Sequence, residues 1–481
     1  MLKYLSSIWS YRAFLKSHKS SLDSSQHLRL SSKSFLSASH KLKKLEPSLV
    51  QNILLPLYSS TGRPAIDPAV FIRSFVLMQH LGYLSLHKWC DDLASDSLLQ
   101  YLVDSFSLPS VASHYDFVVR LTGVDSHMNE LFPKAHFKKV KDKKPKKGEK
   151  LINYSHSDTY YLLDKYKDGA DCDRDRMMFT LQALFNALVV IPSIDSGFID
   201  KNNLILSANG SSLHIHSSPF GHKVLDGDDL DNIYRFSAPD ADIGWDSDLE
   251  SFYLGYTFYN ISYHNPLKNI DLPVFASIEN SSRHDALSCI SAAAQFLDMN
   301  HDLHPKYFCH DSAADSLPVF QFFQHNNIIP VIDHNPRRDS SKVYVEKNHT
   351  NNDGIPVCMA NHPMHFCGYD IQRCRKKYRC PLVMGNISSC PFADQCSTSS
   401  YGRVSYINDG DSARNAGPLS YKSETWKKIY RNRTSTERIN NRVLNHYHLH
   451  QMRIRNKDKH AFFTTFACIN IHLDAWIKDS V

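Results

Sequence analysis

The sequence predicts an α/β protein: an N-terminal helical domain, then a mixed-sheet core interrupted by a cysteine-containing insertion. Three observations predict it. Helical patterns fill the first ~130 residues, three β-rich stretches follow between residues 203 and 279, and helix and strand patterns then alternate as far as residue 333. The length of 481 residues agrees, since at ~100–200 residues per domain it points to roughly two to four. With 42% hydrophobic and 22% charged residues the chain can bury a real core, which excludes a disordered or fibrous protein. The longest uninterrupted apolar stretch near the middle, 187–192, is far short of the ~18 residues of a bilayer span, so no membrane segment is expected.

Taken in order, residues 1–45 are rich in Ser and Lys with Asp23 as the only acid, and lack the apolar run of a secretory leader. They are expected to form a mobile basic tail. Asp67-Pro68 is a cap followed by proline at the first helical position, and Phe71, Phe75 and Met78 supply the apolar stretch of a helix that Gly82 is placed to end. Further helices are expected over 86–102 and 114–121, giving a helical domain over 1–132 and a linker over 133–150. The first part of the core, 151–336, is predicted to hold strands at 203–216, 252–264 and 272–279. A helix over 285–299 follows, opened by Ser282 with Asp285 at capping-box spacing. A strand at 307–311, a helix over 314–325 and a strand at 328–333 complete it. Residues 337–424 read as a polar insertion, and 425–481 as closing helices over 434–455 and 462–478.

The net charge of +6 is concentrated in the linker, where nine lysines between 134 and 150 face only Asp142 and Glu149. Lys138, Lys139, Lys141, Lys143, Lys144, Lys146 and Lys147 form its centre. Such a run suits a polyanion, and equally a solvated linker. Eleven cysteines without a leader point to reduced thiols; Cys358, Cys367, Cys374, Cys380, Cys390 and Cys396 lie in the insertion without a C-x-x-C pair. Structural zinc, buried free thiols and disulfides all remain open there. Lys376, Lys377 and Arg379 in the same segment would suit a DNA contact.

Three places carry residue types suited to chemistry. They are the strand around Asn209, the strand that ends in Asp311, and the helical group Tyr430, Arg433 and Glu437, in which the last two share a helix face. Each has a plainer alternative: Asp311 and Glu437 as helix caps, Tyr430 and Arg433 as packing residues. His284-Asp285 reads as a helix start and Asp246 as a turn between strands. Together with Gly62-Arg63-Pro64-Ala65, the 239–247 segment, Arg283-His284-Asp285 and the 433–438 segment, these blocks resemble, in order, the DDE-type transposases of bacterial insertion sequences. The match is closest to the group marked by a Tyr-x2-Arg-x3-Glu signature.

The resemblance implies a ribonuclease-H-like core in which positions 209, 311 and 437 are catalytic, with Asp311 and Glu437 holding Mg²⁺ or Mn²⁺. Tyr430 and Arg433 would support DNA phosphate beside them. A pair of divalent ions drives in-line displacement at phosphorus, and hard cations call for carboxylate oxygens. The family has Asp where this chain has Asn209, which implies weakened metal binding. The chain is then an impaired transposase or, alternatively, a catalytically inactive DNA-binding relative. The family's basic residue seven beyond Glu falls on Leu444, with Arg442 nearby. Cys358, Cys380, Cys390 and Cys396 are the favoured zinc set, because Arg379-Cys380-Pro381 and Cys390-Pro391 resemble family positions. The implied partners are double-stranded DNA with terminal inverted repeats, target DNA, and a second copy in a synaptic homodimer. The implied location is the bacterial cytoplasm at the nucleoid.

Overall fold

The computed structural model describes residues 1–2, 4–105, 109–123, 131–133, 154–169, 176–223, 233–247, 249–335, 350–351, 353–409, 413–415 and 417–479. The lysine run, including Lys138, Lys139, Lys141, Lys143, Lys144, Lys146 and Lys147, lies outside these residues.

The N-terminal 45 residues correct the expectation of a mobile tail. Ser7 caps a helix over Ile8–His18, an Asp23–Gln26 capping box opens Ser24–Leu30, and a third helix runs over Lys33–Leu42. Leu2, Leu5, Tyr11, Leu15, Ala38 and Leu42 are buried in the main core. Tyr11 donates its hydroxyl proton to the Leu102 carbonyl at 2.7 Å, and the Arg73 guanidinium lies over its ring at 4.6 Å. The serines and lysines that suggested a tail largely occupy the solvent side of these helices. The Pro68–His80 helix forms where its signals place it, with the Asp67 side chain accepting from the Ala69 N–H.

Twelve strands are described. β1 (Leu131–Pro133), β3 (His222–Lys223) and β4 (Ile233–Arg235) form a small antiparallel ribbon. The main sheet contains β2 (Ile205–His214), β5 (Asp242–Asp246), β6 (Ser251–Asn265), β7 (Ile270–Asn280), β8 (Tyr307–His310) and β9 (Ile329–Ile332). β6 pairs antiparallel with β2 on one edge, and on the other with β5 and then β7; β2, β8 and β9 run parallel. Counting the five long-range strands β2, β6, β7, β8 and β9 in chain order, their spatial order is 3-2-1-4-5. Asp246, which reads as a turn residue in sequence, ends the strand β5, whose five residues are too few for a visible alternation.

Helices cover both faces. Asp285–Met299 packs against β2, β6 and β7, and Thr434–Asn441 packs against the same three strands. Alternation along β2 therefore sends neighbouring side chains to different helices. The Asp285–Met299 helix is capped by His284, whose Nδ1 accepts from the Ala286 N–H at 3.2 Å, rather than by Ser282. The helical segment Met177–Asp195 is long and apolar enough to cross a membrane, but 61% of it is buried within the fold. Leu181, Leu184, Phe185, Leu188 and Val189 are core residues there.

The last helix, Lys457–Lys478, lies between the sheet and the N-terminal helices, contacting β7, Arg176–Phe185, Pro68–His80 and Lys33–Leu42. Asp458 in its first turn is 2% exposed, and no side chain among the described residues pairs with its carboxylate. Burial pushes this carboxyl up to about 6, against the pull of Lys459. A folded-state pKa above the ordinary 3.8 makes a contribution to stability that is present below that value and lost as pH rises through about 6. Asp458→Asn should thus stabilise the chain by about 1–2 kcal/mol at pH 7.5 and by little below pH 4. Urea unfolding at the two pH values checks this; an equal gain at both would refute it.

Candidate active site

β2 carries Asn209 opposite Asn260 of β6. Asn260 donates to the Asn440 side-chain oxygen at 2.6 Å, which ties this face of the sheet to the Thr434–Asn441 helix. Glu437 is one helical turn before Asn440, and Arg433 one turn before Glu437, so all three point along one helix face. Asp311 follows the end of β8 directly. A cleft of about 870 Å³ results, lined by Asn209, Asp311, Arg433 and Glu437 together with Asp246 and Asp285. Residues up to 231 positions apart in the chain, Asn209 and Asn440, thereby share one cavity.

Asp311 is held from its own side of the cleft. One carboxylate oxygen accepts from the Ala313 N–H at 2.9 Å and from the His310 Nδ1 at 2.9 Å, while the His310 Nε2 is 3.0 Å from the Tyr259 hydroxyl. Asp311 thus caps the short turn Ser312–Ala314 and faces the cleft as well. Burial alone would raise its pKa, but the His310 and Ala313 hydrogen bonds and the Arg433 charge outweigh it and hold the carboxyl below its ordinary range. The group is an anion at neutral pH.

Glu437 is paired with Arg433 at 2.8 Å, and the glutamate side chain is 51% exposed. It does not act in a capping box. The Arg433 Nε is buried without a hydrogen-bond partner among the described residues. Its guanidinium carbon lies 5.6 Å from the Tyr430 ring centroid. Tyr430 stacks on Trp426 at 4.5 Å, Trp426 meets Tyr421 edge-on, and Tyr421 stacks on His334 at 3.6 Å just beyond β9. This ladder fixes the approach of Arg433 to the cleft. Arg442 is drawn elsewhere, to Asp474 at 2.7 Å, and Leu444 is buried.

Two acids that local rules assign to caps or turns also reach the cleft. Asp246 ends β5, is 7% exposed, and accepts from the Ser212 hydroxyl at 2.5 Å and the His214 Nε2 at 2.8 Å, clamping β5 to β2. The Asp285 carboxylate makes no hydrogen bond or ion pair among the described residues. A Cβ on Gly210 would lie 3.1 Å from its Oδ1, so the glycine beside Asn209 is what lets this carboxylate approach β2. Burial raises the Asp285 pKa; His310 opposes this and Asp311 adds to it. The signal for Asp285 was present in the Gly210 position, but only the fold connects the two.

Among the described residues no three His, Cys, Asp or Glu side chains form a ready metal-holding group. Cys358, Cys380, Cys390 and Cys396 are free and only partly buried, with no disulfide among them. The acids of the cleft are likewise not a closed cage. Mg²⁺, however, is commonly held by one or two carboxylates plus water and substrate phosphate, a donor set that Asp311 with a second acid fits.

Residues 27–118 match a family model described as a transposase domain (DUF772). No curated protein and no solved structure matches the chain. The matched region comprises the helices from Ser24–Leu30 through most of Val111–Thr122, and it supports a transposase-related function.

Proposed function

We propose that the chain is a DDE-type DNA transposase whose ribonuclease-H-like core carries out divalent-metal-dependent DNA cleavage and strand transfer. The observation that carries this reading is the meeting of Asn209, Asp311, Glu437 and Arg433 in one cleft, on a sheet of order 3-2-1-4-5. That order, with three antiparallel strands followed by two parallel ones, is the arrangement the resemblance implies. The transposase-domain match over residues 27–118 is independent support.

The contacts support these roles. Asp311, already ionised and fixed by its hydrogen bonds, is the anchor ligand for a divalent cation. Glu437 is the second, provided its Arg433 partner is given up or shared when phosphate arrives. Arg433 has a buried donor free for a phosphate oxygen. Asn209 offers an amide oxygen without charge, while Asp285 lines the same cleft but approaches β2 at Gly210, from the opposite face of the strand. When bound, Mg²⁺ or Mn²⁺ would activate the attacking oxygen and stabilise the leaving one. The partners under this reading are element-end and target DNA, with a second copy of the chain in the synapse.

The test is single-turnover cleavage of a duplex carrying the element's own ends. Asp311→Asn should remove activity by at least ~10²-fold, because it takes away an anchored anion rather than a peripheral contact. Divalent-ion titration of the same protein should show weakened binding. Unchanged cleavage in Asp311→Asn would refute the site. Binding of end DNA without any cleavage, even with a restored carboxylate at position 209, would favour the non-catalytic reading.

A further inference from the structure

The insertion sheet contains β10 (His365–Asp370), β11 (Arg375–Arg379) and β12 (Val404–Asn408), antiparallel in that order. β11 reads Arg-Lys-Lys-Tyr-Arg, and two-residue alternation divides it. Lys376 and Tyr378 turn inward and are each 2% exposed, Tyr378 packing with Met364 and Ile407. Lys376, which sequence groups with Lys377 and Arg379, is therefore on the wrong side for a DNA contact. Arg375, Lys377 and Arg379 share the opposite face.

On that face the cations rest on tyrosine rings. The Arg375 guanidinium is 3.9 Å from the Tyr406 centroid, and Arg379 and Lys377 are 3.4 Å and 4.8 Å from that of Tyr401. Lys377 also donates to the Tyr401 hydroxyl at 2.8 Å, and Arg379 to the Tyr401 carbonyl at 2.9 Å. Tyr401 and Tyr406 remain 44% and 43% exposed. Gly368 stands opposite Lys377 on the β10 side, where no side chain rises beside it, and Tyr406 stands opposite it on the β12 side. Among the described residues, the only carboxylate paired with these three cations is Asp370, 3.5 Å from Arg375.

We propose that this face of the insertion binds the sugar-phosphate backbone of duplex DNA, as a contact surface separate from the cleft. Cations two residues apart on a strand stand ~6.5–7 Å from each other, and the tyrosines hold them in place before binding. Donors left over on Arg375 and Arg379 suit phosphate oxygens. The inference rests on the DNA-processing reading above and adds a second surface to it.

The experiment measures affinity of the full chain for duplex DNA across a series of KCl concentrations. Wild type is compared with Arg375→Gln/Lys377→Gln/Arg379→Gln and with Lys377→Glu alone; circular dichroism monitors folding. Loss of up to three phosphate contacts should flatten the slope of log K against log salt by as much as ~2.7. Lys377→Glu, a single change whose folding the circular dichroism checks, should weaken binding in the same direction. Wild-type binding with an unchanged slope in both variants would overturn this inference and leave the cleft reading standing. Failure of wild type to bind any duplex would overturn both. Stronger competition by polyglutamate than by duplex DNA at equal charge would reassign the face to an acidic protein and overturn the proposal.

Discussion

Replacing Asn209 with aspartate is expected to raise the single-turnover rate of end cleavage on the order of 10²-fold or more in Mg²⁺. Asn209 stands on the face of β2 that looks toward Glu437, across from Asn260 and its bond to Asn440. Its side chain makes no hydrogen bond among the described residues, so an aspartate there breaks nothing. The change adds one negative charge to a cleft in which Asp311 is already ionised and Glu437 is neutralised by Arg433. A divalent cation gains most from that charge, and its affinity should rise with the rate. Glu437→Gln in the Asn209→Asp background should abolish the gain, since both changes act through the same ion.

The opposite outcome is equally informative. If the natural chain cleaves as well as the Asn209→Asp variant, another carboxylate serves, and Asp285 is the one to test. It lines the same cleft without a partner among the described residues and approaches β2 at Gly210. Asp285→Asn would then remove the activity of the natural chain and weaken Mn²⁺ binding. It would cost much less in the Asn209→Asp background. Equal losses in both backgrounds would mean that Asp285 only supports the start of its helix.

How much of this was legible in the sequence depended on how local each cause is. The long strands β6 and β7 form within a few residues of the predicted limits, because each has many consecutive residues to show its pattern. The Pro68–His80 helix was legible for the same reason, its cap and first-turn proline being adjacent. The helices of residues 1–45 were not. Their apolar residues are spaced among serines and lysines, and what orders them is distant, as with Tyr11 against Leu102 and Arg73. The cleft was legible only through the order of its motifs. Nothing local to Asp311 or Glu437 distinguishes a ligand from a cap; Asp311 in fact caps a turn and also lines the cleft. Asp285 was assigned to a cap that His284 makes instead, since the glycine that admits its carboxylate lies 75 positions earlier.

Removing the Asp474 carboxylate should destabilise the protein by about 3–5 kcal/mol, the usual cost of stranding a buried charge. Lys41, on the Lys33–Leu42 helix, is fully buried and pairs with Asp474 of the last helix at 2.7 Å. Its ammonium also donates to the Tyr447 hydroxyl at 3.1 Å and the Asn470 side-chain oxygen at 3.0 Å. Arg442 reaches the second oxygen of Asp474, and the Tyr447 hydroxyl donates to it as well. This network fastens the region that matches a transposase domain to the helix that packs on β7. Burial pushes Lys41 down to about 8 even with Asp474 holding it up, and in Asp474→Asn it should fall further. The unfolded chain then binds more protons than the folded one below pH 8, so the variant gains stability as pH rises toward 8 while wild type does not. Its deficit should narrow over that interval and stay constant above it. Lys41→Met with Asp474→Asn together should recover most of the loss, because the fully buried charge is gone and Arg442, partly exposed, keeps solvent contact. Urea unfolding of wild type and both variants between about pH 6 and 9 checks all of this. A deficit below ~1 kcal/mol for Asp474→Asn at the acid end of that range would mean that apolar contacts alone hold the N-terminal helices to the core.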